Sequence, residues 1–160
     1  MKIIPATVSD AKTILALQKL AYPYQAALYD DYEIPPLIET LSEMEATFQT
    51  NSFLKAVHDK TLIGSVRAYQ EDDTCHIGRL IVHPDYQNQG IGTRLMAGIE
   101  DRFPTVKRFE LFTGHKSMGN IHLYEKLGYV QFKDIPVHER LRLVYLEKII
   151  GSLGLSVQTS

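Results

Sequence analysis

Hydrophobic and polar positions recur along this chain with two periods, one near three and a half residues and one of two, and their alternation lays out the expected elements. Lys2 to Val8 reads as a short strand. Ser9 is then placed to N-cap a helix with Ile14, Leu17 and Ala21 on its apolar face, which Tyr22-Pro23 ends or bends. Tyr24 to Tyr32, rich in tyrosine and aspartate, reads as a loop running on to Glu33. Pro35-Pro36 launches a second helix carrying Leu37, Leu41, Met44 and Phe48.

An antiparallel meander follows. Phe53 to His58 and Thr61 to Tyr69 flank a tight Asp59-Lys60 turn, and Glu71-Asp72-Asp73 turns the chain into a third strand, Thr74 to Val82. In that strand Ile77, Leu80 and Val82 cannot share a face by strict alternation, because the step from Ile77 to Leu80 is odd. A β-bulge near Gly78-Arg79 restores the pattern, and an unbulged strand buried on both faces also tolerates it. Beyond, Ile91, Leu95, Met96 and Ile99 mark a helix ended by Phe103-Pro104, and Lys107 to Thr113 a strand. Strand, helix and strand in this order make a βαβ unit with parallel strands. A final helix, Ser117 to Leu127, is stopped by Gly128, and two strands, Tyr129 to Ile135 and Arg140 to Lys148, complete the pattern. The expected class is α/β in the α+β sense: a mostly antiparallel mixed sheet of about seven strands with one parallel βαβ unit and helices on both faces. Residues 1–149 form one domain in this reading and residues 150–160 a tail that frays.

Composition narrows the partners. The 160 residues carry a formal charge of -2 with 22% charged residues, which gives no electrostatic reason to expect nucleic acid or a membrane. The single cysteine, Cys75, excludes an internal disulfide and reads as a small core residue. No apolar run is long enough to span a bilayer and the N-terminus lacks a signal-peptide core, so a cytoplasmic location is expected. None of the six histidines stands at a metal-ligand spacing from another His, Cys or carboxylate, and no metal is expected.

The most informative stretch is Leu80 to Leu95, LIVHPDYQNQGIGTRL. A strand that ends in a glycine turn and starts a helix presents unpaired backbone N–H groups and the positive end of the helix dipole to one point, which suits a phosphate. A Walker loop is excluded because Thr93-Arg94 stands where Lys-Ser/Thr is needed. A dinucleotide fingerprint fits poorly, because Leu95 replaces its third glycine and Pro84 to Gln89 separates strand from turn. Leu80, Val82, Pro84, Gln87, Gly90 and Gly92 instead fill Leu-x-Val-x-Pro followed by Gln/Arg-x-x-Gly-x-Gly/Ala. This resembles motif A of the GNAT superfamily of N-acetyltransferases. Downstream, Ser117 to Tyr129 is similar to that family's motif B, a helix ending in Leu-Tyr-Glu-Lys-Leu-Gly-Phe/Tyr. The sequence departs from it where the family often has Asn at the position of Ser117 and Ala at that of Asn120.

The resemblance implies a GNAT-like fold, acetyl-CoA as cosubstrate and an amine as acceptor. It implies that the cosubstrate is held by Leu80, Ile81, Val82, Gln87, Asn88, Gln89, Gly90, Ile91, Gly92 and Thr93, with Ser117, Asn120 and Tyr124 on one face of the last helix. Tyr124 would be the catalytic acid that protonates the departing CoA thiolate. The ordinary pKa values, near 10 for a phenol and 8.5 for a thiol, make that step uphill by about 2 kcal/mol. The amine must be neutral to attack, and His76, Glu110, His115 and Glu33 are candidate bases by position. In the family the acceptor usually binds among the first helices and the C-terminal strands, here near Tyr24, Tyr29, Asp30, Asp31, Tyr32 and Glu33, and a homodimer is a possibility. A non-catalytic acyl-CoA sensor on the same fold is the alternative.

Overall fold

The computed structural model describes residues 1–150, and the expected frayed tail, Gly151 to Ser160, lies outside them. Seven strands form one sheet in the order β1-β2-β3-β4-β5-β7-β6. They are β1 (Lys2–Pro5), β2 (Ser52–His58), β3 (Thr61–Glu71), β4 (Thr74–Val82), β5 (Arg108–Gly114), β6 (Val130–His138) and β7 (Leu141–Ile149). Every neighbouring pair is antiparallel except β4 and β5. Those two are joined through helix α5 (Ile91–Asp101), the βαβ unit read from the sequence.

Helices cover both faces. On one, α1 (Ala11–Ala21) and α4 (Leu41–Thr47) seat Ala11, Ile14 and Met44 over Phe53. On the other, Leu95, Met96 and Ile99 of α5 and Tyr124 of α6 (Met118–Lys126) join Val66, Phe109 and Leu146 in the larger cluster. Gly128 at φ 99 terminates α6, and Cys75 is fully buried in that larger cluster.

Three local expectations are corrected. Tyr24 to Tyr32 is not a loop: Pro23–Tyr29 is a helix, α2, with proline in its first turn and Asp30 at φ 48 closing it in the left-handed region. The helix expected after Pro35 is two, α3 (Pro35–Ile38) and α4. The break falls where Glu39 leaves helical backbone and Thr40 caps the next turn. Thr40 Oγ1 accepts from the Glu43 amide at 3.1 Å and the Glu43 carboxylate accepts from the Thr40 amide at 2.8 Å. Finally, the chain turns toward α1 after Thr7 rather than Ser9, the Asp10 carboxylate accepting from the Thr7 amide at 2.9 Å.

The bulge is present. Ser65 pairs with Ile81 and Arg67 with Gly78, so two steps along β3 match three along β4, and Arg79 sits at φ 51. Ile77, Leu80 and Val82 consequently share one face and pack in the same cluster.

Candidate active site

The bulge opens the sheet. The recorded β4–β5 pairs run from Thr74 with Arg108 to His76 with Glu110 and then stop. His83 donates its N–H to the Ile63 carbonyl of β3 at 2.7 Å. By the two-residue alternation of a strand, the amide of Ile81 points to β3 as well, while those of Leu80 and Val82 point the opposite way, into the gap β5 has left. Ile81 is buried on the α1 side, so the structure turns it away from its neighbours.

Below the gap, a 3-10 turn at Pro84–Tyr86 leads into the loop from Gln87 to Gly90. Asn88 and Gly90 have φ of 61 and 80, and α5 begins at Ile91. Two left-handed residues so close together point successive amides outward. Among the described residues no amide from Gln87 through Thr93 has a partner, and Gly90 has no atom within 4 Å of where a Cβ would stand. Ile91 is buried and anchors the turn, while Gln87, Asn88, Gln89 and Thr93 are exposed around it. Gly92 faces inward: a Cβ there would lie 3.4 Å from Leu123 of α6 and 3.8 Å from Leu80. β4, α5 and α6 therefore converge at the mouth of the gap.

The three residues predicted to share a face of the last helix have different fates. Ser117, buried at the head of α6, is bound to the Tyr29 hydroxyl at 2.7 Å and donates to Gln25 Oε1, which ties α6 to α2. Asn120 donates to Thr113 Oγ1 at 3.3 Å across the end of β5. Tyr124 is 6% exposed, and among the described residues its hydroxyl has no hydrogen-bond partner. Burial raises its pKa, with Tyr22 adding to the effect, so the phenol keeps its proton.

Tyr22, at the α1–α2 junction, links Tyr124 to a polar cluster that sequence reasoning missed. Burial raises its pKa, while the charges of Arg79 and Arg67 act in the opposite sense. Both guanidiniums converge on Glu39, Arg67 at 3.0 Å and Arg79 at 3.4 Å, and Gln18 donates to the same carboxylate at 2.8 Å. One signal was available: Gln18 sits at helical spacing with Ile14, Leu17 and Ala21, and an amide on a buried face needs a polar partner.

The cluster heads a cleft of about 510 Å³ on the sheet face beyond α1. Its floor is Tyr69, His76, Glu110, Phe112 and Tyr145, with Lys133 on the rim. His76 Nδ1 lies 3.6 Å from Glu110 Oε2, and the Tyr69 ring stacks on His76. Of the four candidate bases these two come together. His115 is occupied elsewhere, its Nδ1 accepting from the Arg142 amide at 3.0 Å, and Glu33 is exposed after α2. The Tyr24 to Glu33 segment mostly fastens α2 to the β6–β7 hairpin: Asp31 pairs with His138 at 2.8 Å, Arg140 donates to the Tyr29 carbonyl, and Asp30 offers its own carbonyl to Arg140. Tyr24 and Tyr32 are exposed.

A mixed sheet split between two parallel strands, above a loop of bare amides at a helix start, defines a fold with an anion-suited loop below an open gap. The model of the acetyltransferase (GNAT) family matches residues 14–129, and the chain belongs to this family. Its fold is shared with a Streptococcus mutans protein, at TM-score 0.79 and 14% identity over 93% of this chain and 99% of that one. The ribosomal-protein-S18-alanine N-acetyltransferase of Escherichia coli superposes at TM-score 0.74 with 18% identity, covering 94% of both chains. A chimera of Vibrio cholerae spermidine N-acetyltransferase superposes at 0.71 with 17% identity, covering 98% of this chain and 99% of that one. In sequence, the UPF0157 protein YqkA of Bacillus subtilis is 26% identical over 83% of this chain, which spans 38% of that protein's length. The protein thus has the GNAT fold and belongs to the GNAT family.

Proposed function

We propose that the protein moves the acetyl group of acetyl-CoA directly to a primary amine. The observation that carries this reading is the Tyr124 hydroxyl, a protonated donor with no partner among the described residues, on the helix whose Leu123 packs at Gly92 beside Leu80. The surroundings fit the cosubstrate: the bare amides from Gln87 to Thr93 suit a pyrophosphate, and the open space at Gly90 admits it. When bound, acetyl-CoA supplies the thioester carbonyl and a thiolate leaving group. The Leu80 and Val82 amides hold the pantetheine arm and polarise that carbonyl, Asn120 borders the arm and Ser117 fixes the helix behind it. As the N–C bond forms and the C–S bond breaks, one proton leaves the nitrogen toward the His76–Glu110 pair and Tyr124 gives one to sulfur.

The same reading places the protein in the cytoplasm with acetyl-CoA and an amine as its partners, without nucleic acid or membrane. It rests on the charge of -2 and the lone buried Cys75. Among the described residues no helix is long and apolar enough to cross a membrane. A homodimer belongs to this reading as well, and sedimentation tests it. The decisive experiment is thermal stabilisation by acetyl-CoA followed by thiol release across an amine panel. Stabilisation together with turnover is expected. No stabilisation overturns the reading, and stabilisation without turnover of any amine favours a sensor.

A further inference from the structure

We infer that the acceptor carries a carboxylate beside its amine, as an α-amino acid with a hydrophobic side chain does, and that Arg67 and Arg79 bind that carboxylate. The inference rests on the acetyl-transfer reading for the amine and on the charges of the cleft for the rest.

The guanidiniums of Arg67 and Arg79 are mostly buried, and both point at one carboxylate, Glu39. Gln18 holds Glu39 from behind, donating to it and to the Pro36 carbonyl at 2.9 Å. The cluster therefore carries one surplus positive charge, next to Tyr22. Desolvation and the neighbouring Arg79 charge both work against the charged form of Arg67, the situation a bound anion relieves. One surplus charge matches a carboxylate rather than a phosphate dianion. Arg79 also immediately precedes Leu80, whose amide faces the gap. An anion at Arg79 would thus lie beside the reacting centre, as a carboxylate lies one carbon from an α-amine.

The rest of the cleft argues against a polycation. One of its rings already carries positive charge: Lys133 Nζ sits 4.4 Å from the Tyr145 centroid. Glu110 and Glu147 are both taken by Arg108, at 2.7 and 2.6 Å. A polyamine would meet Arg67, Arg79 and Lys133, against a single carboxylate among the described lining residues, Glu110, whose charge Arg108 already offsets. The same cations favour the neutral form of a bound amine, the form that attacks. The exposed edges of Tyr69 and Phe112 beside Tyr145 leave an apolar wall for the acceptor's side chain.

Two matched series test this. Calorimetric titration of the full chain in the presence of CoA compares N-acetyl-L-phenylalanine with N-acetyl-L-phenylalaninamide, which lacks only the charge. The carboxylate is expected to bind roughly 100-fold more tightly, and Arg79→Gln to bring the two within a few-fold. Turnover then compares phenylalanine, phenylalaninamide and phenethylamine, with the first preferred in kcat/KM by a similar factor. Should Arg79→Gln fail to fold, the two probes on the unaltered protein still decide. Equal binding of both probes, or tighter binding of the amide, overturns the inference. Preferential carboxylate binding without turnover of any amine upholds the carboxylate site at Arg67 and Arg79 and sinks the transfer reading. Turnover of all three amines without preference does the reverse.

Discussion

Arg67 Nη1 donates to Glu39 Oε2 at 3.0 Å, so a side chain from the middle of β3 is fixed to the break between α3 and α4. Burial pushes the Glu39 carboxyl up, but hydrogen bonds from Gln18 and Arg67 and the charges of Arg67 and Arg79 outweigh it and hold the group below its ordinary range. A carboxyl depressed in the folded state contributes stability that is complete above its unfolded value, about 4.5, and is lost as pH falls through the folded one. Glu39→Gln leaves two buried guanidiniums without a counter-charge, and it is expected to lower stability at pH 7 by about 3–5 kcal/mol. Urea unfolding between pH 7 and pH 3 checks both parts. The unaltered protein should weaken below about pH 4.5, while the variant starts lower and changes less over that window.

The bulge was legible as one of two readings because parity is a local rule: three apolar residues at 77, 80 and 82 share a face only with one extra residue, and Arg79, at φ 51, lies in it. The glycine turn into α5 was legible because Gly90 states a backbone requirement, at φ 80, and Gly92 one of space, against Leu123 and Leu80. What could not be read was anything assembled across distance. Gln18, Arg67 and Arg79 come from three elements and Glu39 from the break between two others, and none is unusual among its own neighbours. The α3–α4 break was written in Thr40 and Glu43, yet the apolar spacing of Leu37, Leu41 and Met44 outweighed that cap. Tyr24 and Tyr29 were read as loop because tyrosine has no strong helical preference, although Pro23 is well suited to a first helical turn.

Gly114 ends β5 against the phenol of Tyr29, and a Cβ there would overlap both the oxygen and the ring. Its φ is not in the left-handed region, so the requirement is one of space alone. That phenol also accepts from the Lys116 amide at 3.0 Å and meets Ser117. Gly114→Ala should therefore cost about 1–3 kcal/mol and loosen α2 from α6. Gly119, in α6 with nothing within 4 Å, is the control: Gly119→Ala should be neutral or stabilising by up to about 1 kcal/mol. Thermal melts of the two variants give the comparison.

The Cys75 thiol is fully buried, and burial, with the nearby Glu100 charge, pushes its pKa up to about 12. At pH 8 only about one molecule in ten thousand would carry the thiolate, the reactive form. Ellman's reagent should leave the native protein unmodified at pH 8 and react with one thiol per chain in denaturant. Rapid reaction of the native protein would show that the larger core cluster opens around β4.

Tyr124→Phe separates the acid role from a structural one because the hydroxyl has no partner to orphan among the described residues. The ring stays packed near Tyr129, its centroid 6.1 Å away, so melting temperature and acetyl-CoA affinity should be unchanged. A general acid contributes about 10²–10⁴-fold, and kcat should fall within that range while KM for acetyl-CoA holds. The raised pKa fixes the sign of the pH dependence. As an acid Tyr124 would act in its protonated form, which burial extends above the ordinary phenol range, so activity should show no loss from this residue up to pH 9. Any fall in kcat/KM toward acid then reports protonation of the amine and of the groups that receive its proton, and it should persist in Tyr124→Phe on the residual rate. A lower melting temperature with unchanged kcat would instead make Tyr124 a packing residue and move the search for the acid to Tyr22, the phenol within electrostatic reach of both Tyr124 and the arginine cluster.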